Sequence, residues 1–181
     1  MITCTEVAFY TDGSKMTEAN YNGLAIFSQD LDLEKKYKIY KNTSIFTTEA
    51  TAILKTLDWI MIIEIKSAVI LTDSKSVMEA ISNYNSPLKS KNTNYLIVEI
   101  KKKIKLINEK GYYLKICKVP AHFDIHGNEQ ADQLAKDATS SGILSEVKIP
   151  YTDQYKHIAL QDHSKKIFLK NLIFAVSSQL F

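Results

Sequence analysis

The sequence predicts an α/β domain in which helices cover a mixed β-sheet. Three observations support this fold class. Three segments with strand character open the chain, the apolar residues change to a helical spacing near residue 47, and strand-like and helical segments alternate from there. An initial meander of strands followed by such an alternation is typical of a mixed sheet with helices packed against it.

Five segments have the features of strands. The first ends at Asp12-Gly13-Ser14, where the glycine marks a turn, and the third alternates lysine with apolar residues as a half-exposed strand does. The fourth is a short, continuous apolar run, which is expected of a buried central strand. The predicted strands are Val7 to Thr11, Gly23 to Ser28, Lys36 to Lys41, Ala68 to Leu71 and Tyr112 to Val119.

Four segments have helical periodicity. The clearest begins at Thr47-Thr48, where a threonine stands at the position of an N-cap and the next apolar residues recur at intervals of three and four. The others are Ser74 to Ile81, Tyr95 to Asn108 with Gly111 behind it, and Asn128 to Ala138. The pattern weakens afterwards, so we expect one domain over residues 1–138 and an extension over 139–181, in which Lys165 to Val176 has the periodicity of one helix.

The composition fits an ordinary domain outside the membrane. The chain has 181 residues, of which 45% are apolar and 24% charged. Its longest apolar stretch, Trp59 to Thr72, is interrupted by charged residues, and its start lacks the basic-then-apolar pattern of a secretory signal. Cys4 and Cys117 are its only cysteines. We therefore expect no membrane span and an intracellular location, cytoplasmic or nuclear.

The basic residues have an unusual composition. All 23 are lysine, although the formal net charge is only +3. Lysine acts on phosphate as a point charge, whereas arginine is the usual bidentate partner of guanine edges. If the protein binds nucleic acid, we expect it to contact the backbone with little sequence preference. Codon bias in an AT-rich genome is a compatible alternative explanation.

Two of the predicted strands end alike, each with an apolar run, a threonine and an aspartate. The aspartates are Asp12 and Asp73. If the strands lie side by side and parallel, both carboxylates emerge at the same edge of the sheet. Two anions that close are costly unless a proton or a cation neutralises them, so the pair is a candidate site for Mg²⁺ or Mn²⁺. For either aspartate alone, a turn role is the alternative.

Three further residues belong to the candidate site. Glu49 stands in the predicted first turn of the helix after Thr48, and Asp132 in the second turn of the helix from Asn128. Acidic residues near helix N-termini also favour the helix dipole, which is the structural alternative for both. His122 lies in a loop before Asp132, where solvent exposure without a function is the alternative.

Several sequence blocks together resemble the motifs of the ribonuclease H family. They are Thr11-Asp12-Gly13-Ser14, Phe46-Thr47-Thr48-Glu49-Ala50, Leu71-Thr72-Asp73-Ser74, and Val119 to His122 followed by Ile125 to Lys136. They occur in the family's order between Glu6 and Ala138, and the last block is most similar to the ribonuclease H domains of eukaryotic non-LTR retrotransposons. The resemblance implies a ribonuclease H-like fold: a five-stranded mixed sheet, with its first three strands antiparallel, flanked by helices.

The resemblance also implies an activity and a site. The family hydrolyses the RNA strand of RNA·DNA hybrids with two Mg²⁺ ions, for which Mn²⁺ can substitute, and its retrotransposon members accompany a fused or separate reverse transcriptase domain. By this resemblance, four carboxylates hold the metals, a histidine assists catalysis or product departure, and four residues contact the substrate. They are, respectively, Asp12, Glu49, Asp73 and Asp132; His122; and Gly13, Ser14, Asn128 and Glu129. Helix N-capping is the alternative role for Asn128.

Two rival functions stay open at this point. The segment Asn83 to Asn94 lacks the basic, aromatic-rich protrusion of cellular family members, and Lys118 precedes Val119 where retroelement relatives often have tryptophan. These departures favour a non-catalytic nucleic-acid-binding or connecting domain of a reverse transcriptase assembly, whereas the intact carboxylates favour a nuclease. A transposase or integrase on the same fold is the third possibility. Those enzymes use two aspartates and a final helical glutamate, an order that this chain does not show.

Overall fold

The structure is a computed structural model that describes residues 6–82, 94–120, 125–155, 158–159 and 162. Strands come first in the chain and then alternate with helices, as the sequence predicts. The strands are β1 (Val7–Ser14), β2 (Tyr21–Ser28), β3 (Leu33–Tyr40), β4 (Ser67–Thr72), β5 (Tyr113–Lys118) and β6 (Ile143–Leu144). The helices are α1 (Ile45–Ile62), α2 (Lys75–Ser82), α3 (Tyr95–Glu109) and α4 (His126–Ser141), and residues 151–155 are also helical.

The strands form one mixed sheet in the order β5-β4-β1-β2-β3-β6. β1, β2 and β3 pair as an antiparallel meander, whereas β4 pairs in parallel with both β1 and β5. β2 lies in the interior of the sheet and is buried from Asn22 to Ser28. The predicted fold class is therefore confirmed, including the antiparallel arrangement of the first three strands.

The sheet has a sixth strand that the sequence does not predict. β6 pairs in parallel with β3, with Ile143 opposite Tyr37 and Leu144 opposite Lys38. A strand of two residues has no alternation of apolar and polar positions, so periodicity cannot identify it. The sheet therefore has six strands and not the expected five. The additional strand comes from residues after 138.

Helices cover both faces of the sheet. Successive side chains of a strand point to opposite faces, and on β2 Ile26 packs into a core with α1 and α3, whereas Ala25 packs with α4. α4 contacts β1, β2 and β3. α1 contacts β1 and β2, so α1 and α4 approach these two strands from opposite sides.

α4 lies very close to the sheet at Gly23. A Cβ atom at this position would lie 2.0 Å from the carbonyl oxygen of Ala135 and 2.8 Å from the backbone nitrogen of Thr139. Backbone atoms cannot rotate out of the way as the end of a side chain can. The absence of a side chain at Gly23 therefore sets the distance between β2 and α4.

α1 begins earlier than the sequence predicts. Its N-cap is Ser44, whose hydroxyl accepts the backbone N–H of Thr47 at 3.2 Å. The prediction of a threonine N-cap is wrong, because the neighbouring serine provides the same hydroxyl three residues before the N–H that it satisfies. The first turn of α1 consequently contains no acidic residue, and Glu49 lies just after it.

Two further predictions concern the ends of the fold. The predicted helix from Lys165 to Val176 lies outside the described residues, and the division between residues 1–138 and 139–181 stays a proposal. None of the described helices is long and apolar enough to cross a membrane.

Candidate functional site

Two aspartates lie next to each other near the ends of two neighbouring parallel strands. β1 and β4 run side by side with Thr11 opposite Thr72, so the next residues, Asp12 and Asp73, lie at the same edge of the sheet. The hydroxyl of Thr11 also donates to the carbonyl of Leu71 at 3.5 Å. The condition under which both carboxylates were expected at one edge, a side-by-side and parallel pairing of the two strands, is therefore met.

Glu49 reaches this edge from α1. Single carboxylate oxygens of Asp12, Glu49 and Asp73 all lie within 4.8 Å of one another. Glu49 is 7% exposed and Asp12 is 8% exposed. A Cβ atom on Gly13 would lie 3.1 Å from the backbone nitrogen of Glu49 and 3.3 Å from its Cδ. Glycine at position 13 thus lets α1 bring Glu49 against β1.

Asp132 lies beside this cluster but outside it. One of its carboxylate oxygens is 2.6 Å from Nζ of Lys136, one turn further along α4, and both side chains are partly exposed. After burial and the charge of Asp73, the charge of Asp132 also raises the pKa of Asp12. The structure therefore brings three of the four predicted carboxylates together and places the fourth nearby, paired with a lysine.

Burial and mutual repulsion raise the proton affinity of two of these carboxyl groups. Burial raises the pKa of Glu49 to about 9, the charges of Asp12 and Asp73 add to the rise, and the Gly13 backbone opposes part of it. Burial likewise raises the pKa of Asp12 to about 7, with the charge of Asp73 as the next cause. A cluster of this kind is stabilised by protons or by a cation.

The donor set fits a divalent cation. Oε2 of Glu49 is buried and has no hydrogen-bond partner within the described part of the chain, whereas most buried polar atoms in proteins are paired. The three clustered residues offer only carboxylate oxygens, which are the ligands that Mg²⁺ and Mn²⁺ prefer. The unpaired oxygen and the repelling charges are both features that a bound cation would relieve.

The predicted substrate-binding residues lie at two places around the cluster. Gly13 and Ser14 end β1, and the Ser14 side chain is buried. Asn128 and Glu129 lie in the first turn of α4, with Asn128 buried and Glu129 exposed. The N-cap of α4 is Ile125, and no side chain caps the helix. The alternative of N-capping by Asn128 is therefore wrong, and its buried Oδ1 has no partner among the described residues.

His122 belongs to residues 121–124, which lie outside the described residues. Its predicted role in catalysis or product departure stays a prediction.

Sequence reasoning missed two residues around the site. The first is Lys136, for which a signal exists, because a lysine four residues after Asp132 on a helix is placed to pair with it. The second is Asp153, which is buried against the first turn of α1. It follows Pro150-Tyr151-Thr152 in a stretch without clear periodicity, so the spacing of apolar residues does not predict its burial.

Comparison with known proteins identifies the family. The family model for RNase H matches residues 4–140. RNase H1 from the halophilic archaeon Halobacterium salinarum NRC-1 has a similar structure, with a TM-score of 0.55 and 17% identity over 74% of this chain and 97% of that chain. The foamy viral protease-reverse transcriptase in complex with dsDNA is also similar, with a TM-score of 0.59 and 20% identity over 78% of this chain and 99% of that chain.

No curated protein sequence matches the chain. At the identities given above, the two solved structures support the fold alone. The family model, by contrast, covers β1 to α4 with Asp12, Glu49, Asp73 and Asp132. The chain therefore belongs to the RNase H family.

Proposed function

We propose that this protein is a metal-dependent endonuclease that hydrolyses the RNA strand of RNA·DNA hybrids. The observation that carries the proposal is the convergence of Asp12, Glu49 and Asp73, whose carboxylate oxygens lie within 4.8 Å of one another. The repulsion among three carboxylates in so small a space is relieved by protons or by a bound cation. Membership of the RNase H family supports the hybrid as the substrate class.

The proposed cofactor is a pair of Mg²⁺ ions, for which Mn²⁺ can substitute. Asp12, Glu49 and Asp73 would hold the ions, with Asp132 as a further ligand once it leaves Lys136. Ions at this site would supply the positive charge that makes water nucleophilic and stabilises a departing 3′ oxygen. This chemistry needs no covalent nucleophile from the protein.

The chain's own residues would fix the position of each ligand. The backbone pairing of β1 with β4 aligns Asp12 and Asp73, and the open space at Gly13 admits Glu49. The hydrogen bond to Asp132 raises the pKa of Lys136, which keeps this lysine charged beside the cluster. We assign proton transfer or product release to His122.

The substrate would be held mainly through its backbone. We propose that Gly13, Ser14, Asn128 and Glu129 contact the RNA strand, where the 2′-hydroxyl distinguishes RNA from DNA. A chain whose 23 basic residues are all lysine is suited to phosphate contacts rather than to base recognition. Binding of the hybrid should therefore weaken steeply with salt and depend little on sequence.

Cleavage of a labelled hybrid tests the proposal. The purified chain, with Mg²⁺ or Mn²⁺, should cut a hybrid labelled on its RNA strand and spare the same sequence as duplex DNA. Asp73→Asn, prepared identically to exclude host nuclease, should reduce cleavage to background because it removes a clustered carboxylate. His122→Ala should leave a measurable remnant, because acid-base assistance contributes roughly 10²- to 10⁴-fold.

Two results would count against this assignment. If folded wild-type protein binds neither ion and leaves the hybrid intact, the nuclease function is wrong. If His122→Ala and Asp73→Asn both abolish cleavage equally, the ranking of their roles is wrong.

The ion pair between Asp132 and Lys136 favours one alternative function. A carboxylate engaged by a lysine at 2.6 Å is less available to a metal, as expected of a non-catalytic nucleic-acid-binding or connecting domain. Hybrid binding without cleavage, unaffected by Asp73→Asn, would support this alternative. Cleavage by the wild-type chain, which keeps the ion pair, would show that the pair does not prevent nuclease activity. Faster cleavage by Lys136→Ala would show that the pair slows the reaction.

We also propose that the domain derives from a retrotransposon polyprotein with a fused or separate reverse transcriptase. The block Ile125 to Lys136 supports this origin by its resemblance, and one of the similar solved structures is a viral protease-reverse transcriptase. Sequencing the genomic DNA upstream of the coding region tests it. A reverse transcriptase reading frame is expected there, and an unrelated gene would contradict the proposal.

A further inference from the structure

Asp153 is a buried carboxylate that the proposed reaction does not use. It is 4% exposed and follows the residues matched by the family model, which end at 140. Its Oδ2 accepts the backbone N–H of Ser44 at 2.7 Å and the Ser44 hydroxyl at 3.1 Å. The hydroxyl of Thr47 donates to the same oxygen at 2.7 Å.

These contacts make Asp153 a firm anchor on the N-terminus of α1. Burial of a carboxylate is costly unless hydrogen bonds compensate it, and three donors converge here on one oxygen. Hydrogen bonds to a charged acceptor are stronger than neutral ones. The N-terminal end of a helix also favours a negative charge. The free energy of these contacts therefore resists displacement of the first turn of α1.

The segment that carries Asp153 is itself held to the domain at several points. β6 pairs with β3, and the backbone N–H of Ser145 donates to the carbonyl of Lys38 at 2.8 Å. Val147 packs against the main core, and the hydroxyl of Tyr95 donates to the carbonyl of Lys148. Asp153 is thus fixed relative to the sheet and to α3. Through its hydrogen bonds it also fixes the start of α1 relative to them.

The first turn of α1 leads directly to Glu49. Asn22 of β2 donates from Nδ2 to the carbonyl of Thr43 at 2.9 Å. The same Nδ2 lies 3.4 Å from the hydroxyl of Thr48, which donates to the carbonyl of Ser44 at 3.0 Å. The turn is therefore held by β2 and by Asp153 together. Glu49 follows Thr48, and its side chain lies over Gly13 with little free space.

We propose that Asp153 is a positioning residue that holds the first turn of α1 so that Glu49 stays aligned with Asp12 and Asp73 for binding a divalent cation. Loss of these contacts would keep all three carboxylates but would let Glu49 move relative to Asp12 and Asp73. The inference rests on the proposed function for the identity of the site as a cation site. It adds that residues beyond 140 contribute to that site.

Calorimetric titration of the full chain with Mn²⁺ tests this role. The variants are Asp153→Asn, which keeps one acceptor oxygen, Asp153→Ala, which keeps none, and Thr47→Val, which removes one donor at nearly constant volume. Asp137→Asn is the matched control, because Asp137 is an exposed carboxylate that contacts Gln133 at 3.0 Å, away from the cluster. All titrations are made at a temperature where circular dichroism shows each variant folded.

We expect Asp153→Ala to bind Mn²⁺ about 10-fold more weakly, at the lower end of what the loss of a ligand-orienting partner costs. Asp153→Asn and Thr47→Val should show smaller losses, and Asp137→Asn should show none. In the hybrid-cleavage assay, the Asp153 and Thr47 variants should lower kcat and leave KM unchanged, because the substrate surface is intact, whereas Asp137→Asn should change neither. If Asp153→Ala does not fold, Asp153→Asn and Thr47→Val carry the test.

Three results would overturn the inference. Unchanged Mn²⁺ affinity with a lower Tm would show that Asp153 serves stability alone. Tighter hybrid binding by Asp153→Asn would show that the contact obstructs the substrate instead of supporting the site. Wild-type protein that binds no Mn²⁺ would refute the proposed cation site itself, and this failure is visible before any variant is compared.

Discussion

At the scale of single residues, the buried carboxyl groups make the ion-free protein sensitive to pH. Folding raises the pKa of Glu49 from 4.5 to about 9 and that of Asp12 from 3.8 to about 7. Between those values the folded state binds more protons than the unfolded state, so the free energy of unfolding falls as the pH rises. Each unit of difference in pKa corresponds to about 1.4 kcal/mol.

We therefore expect the Tm of the ion-free protein to fall as the pH is raised from about 5 to about 9, through the range set by the raised pKa values. Glu49→Gln should flatten this dependence, most clearly above pH 7, because the amide cannot lose a proton to become charged. Scanning calorimetry in EDTA measures both proteins, with Asp137→Asn as a control for loss of a surface charge. Parallel slopes for the wild type and Glu49→Gln would contradict the assignment of the buried proton to Glu49.

At the scale of secondary-structure elements, the contact between β2 and α4 depends on one missing side chain. Gly23→Ala would place a Cβ atom 2.0 Å from the Ala135 carbonyl oxygen. Either the helix or the strand must shift, and overpacking of this kind costs about 1 to 3 kcal/mol and occasionally more. We expect the free energy of unfolding, measured by urea titration, to fall by about 3 kcal/mol or more.

Gly111→Ala is the matched control for this substitution. A Cβ atom there would meet nothing within 4 Å, but Gly111 has a φ of +75°. Its expected cost is therefore only the conformational penalty of a left-handed residue, about 1 to 2 kcal/mol. A smaller loss for Gly23→Ala than for Gly111→Ala would show that α4 can move away from the sheet easily.

At the scale of the whole molecule, cation binding and folding stability are linked. An ion that binds the folded state alone stabilises it by about 2.7 kcal/mol at 100 times its dissociation constant. For a domain of this size, each kcal/mol raises the Tm by about 2 to 4 °C. We expect saturating Mn²⁺ to raise the Tm by about 5 to 10 °C and to leave Asp73→Asn almost unchanged. Equal shifts in both proteins would place the bound ion elsewhere.

The architecture of the whole molecule follows largely from local patterns in the sequence. The matching ends of two strands singled out Asp12 and Asp73 as a pair that would meet if the strands lay parallel, as they do, and the apolar spacing after Thr48 predicted α1. Patterns of this kind are strong because each uses many residues in succession. They locate strands and helices well, and through them the edge of the sheet where the carboxylates meet.

What the sequence could not predict depends on single tertiary contacts. β6 forms because two further residues pair with the edge of β3. The N-cap of α1 was hard to assign because Ser44, Thr47 and Thr48 all carry a hydroxyl that could cap a helix. The burial of Asp153 depends on how the last described segment packs against the start of α1. Contacts between distant residues leave no periodic signal, so these features required the structure.

The parallel pairing of β1 with β4 also determines when the candidate site forms during folding. Two strands and α1 separate these neighbours along the chain, so their pairing closes a long loop and is entropically costly. Asp12 and Asp73 are brought together only once that closure is complete. A cation that needs both therefore has no binding site in chains whose β1 and β4 are still unpaired, and it stabilises only the states that have closed this loop.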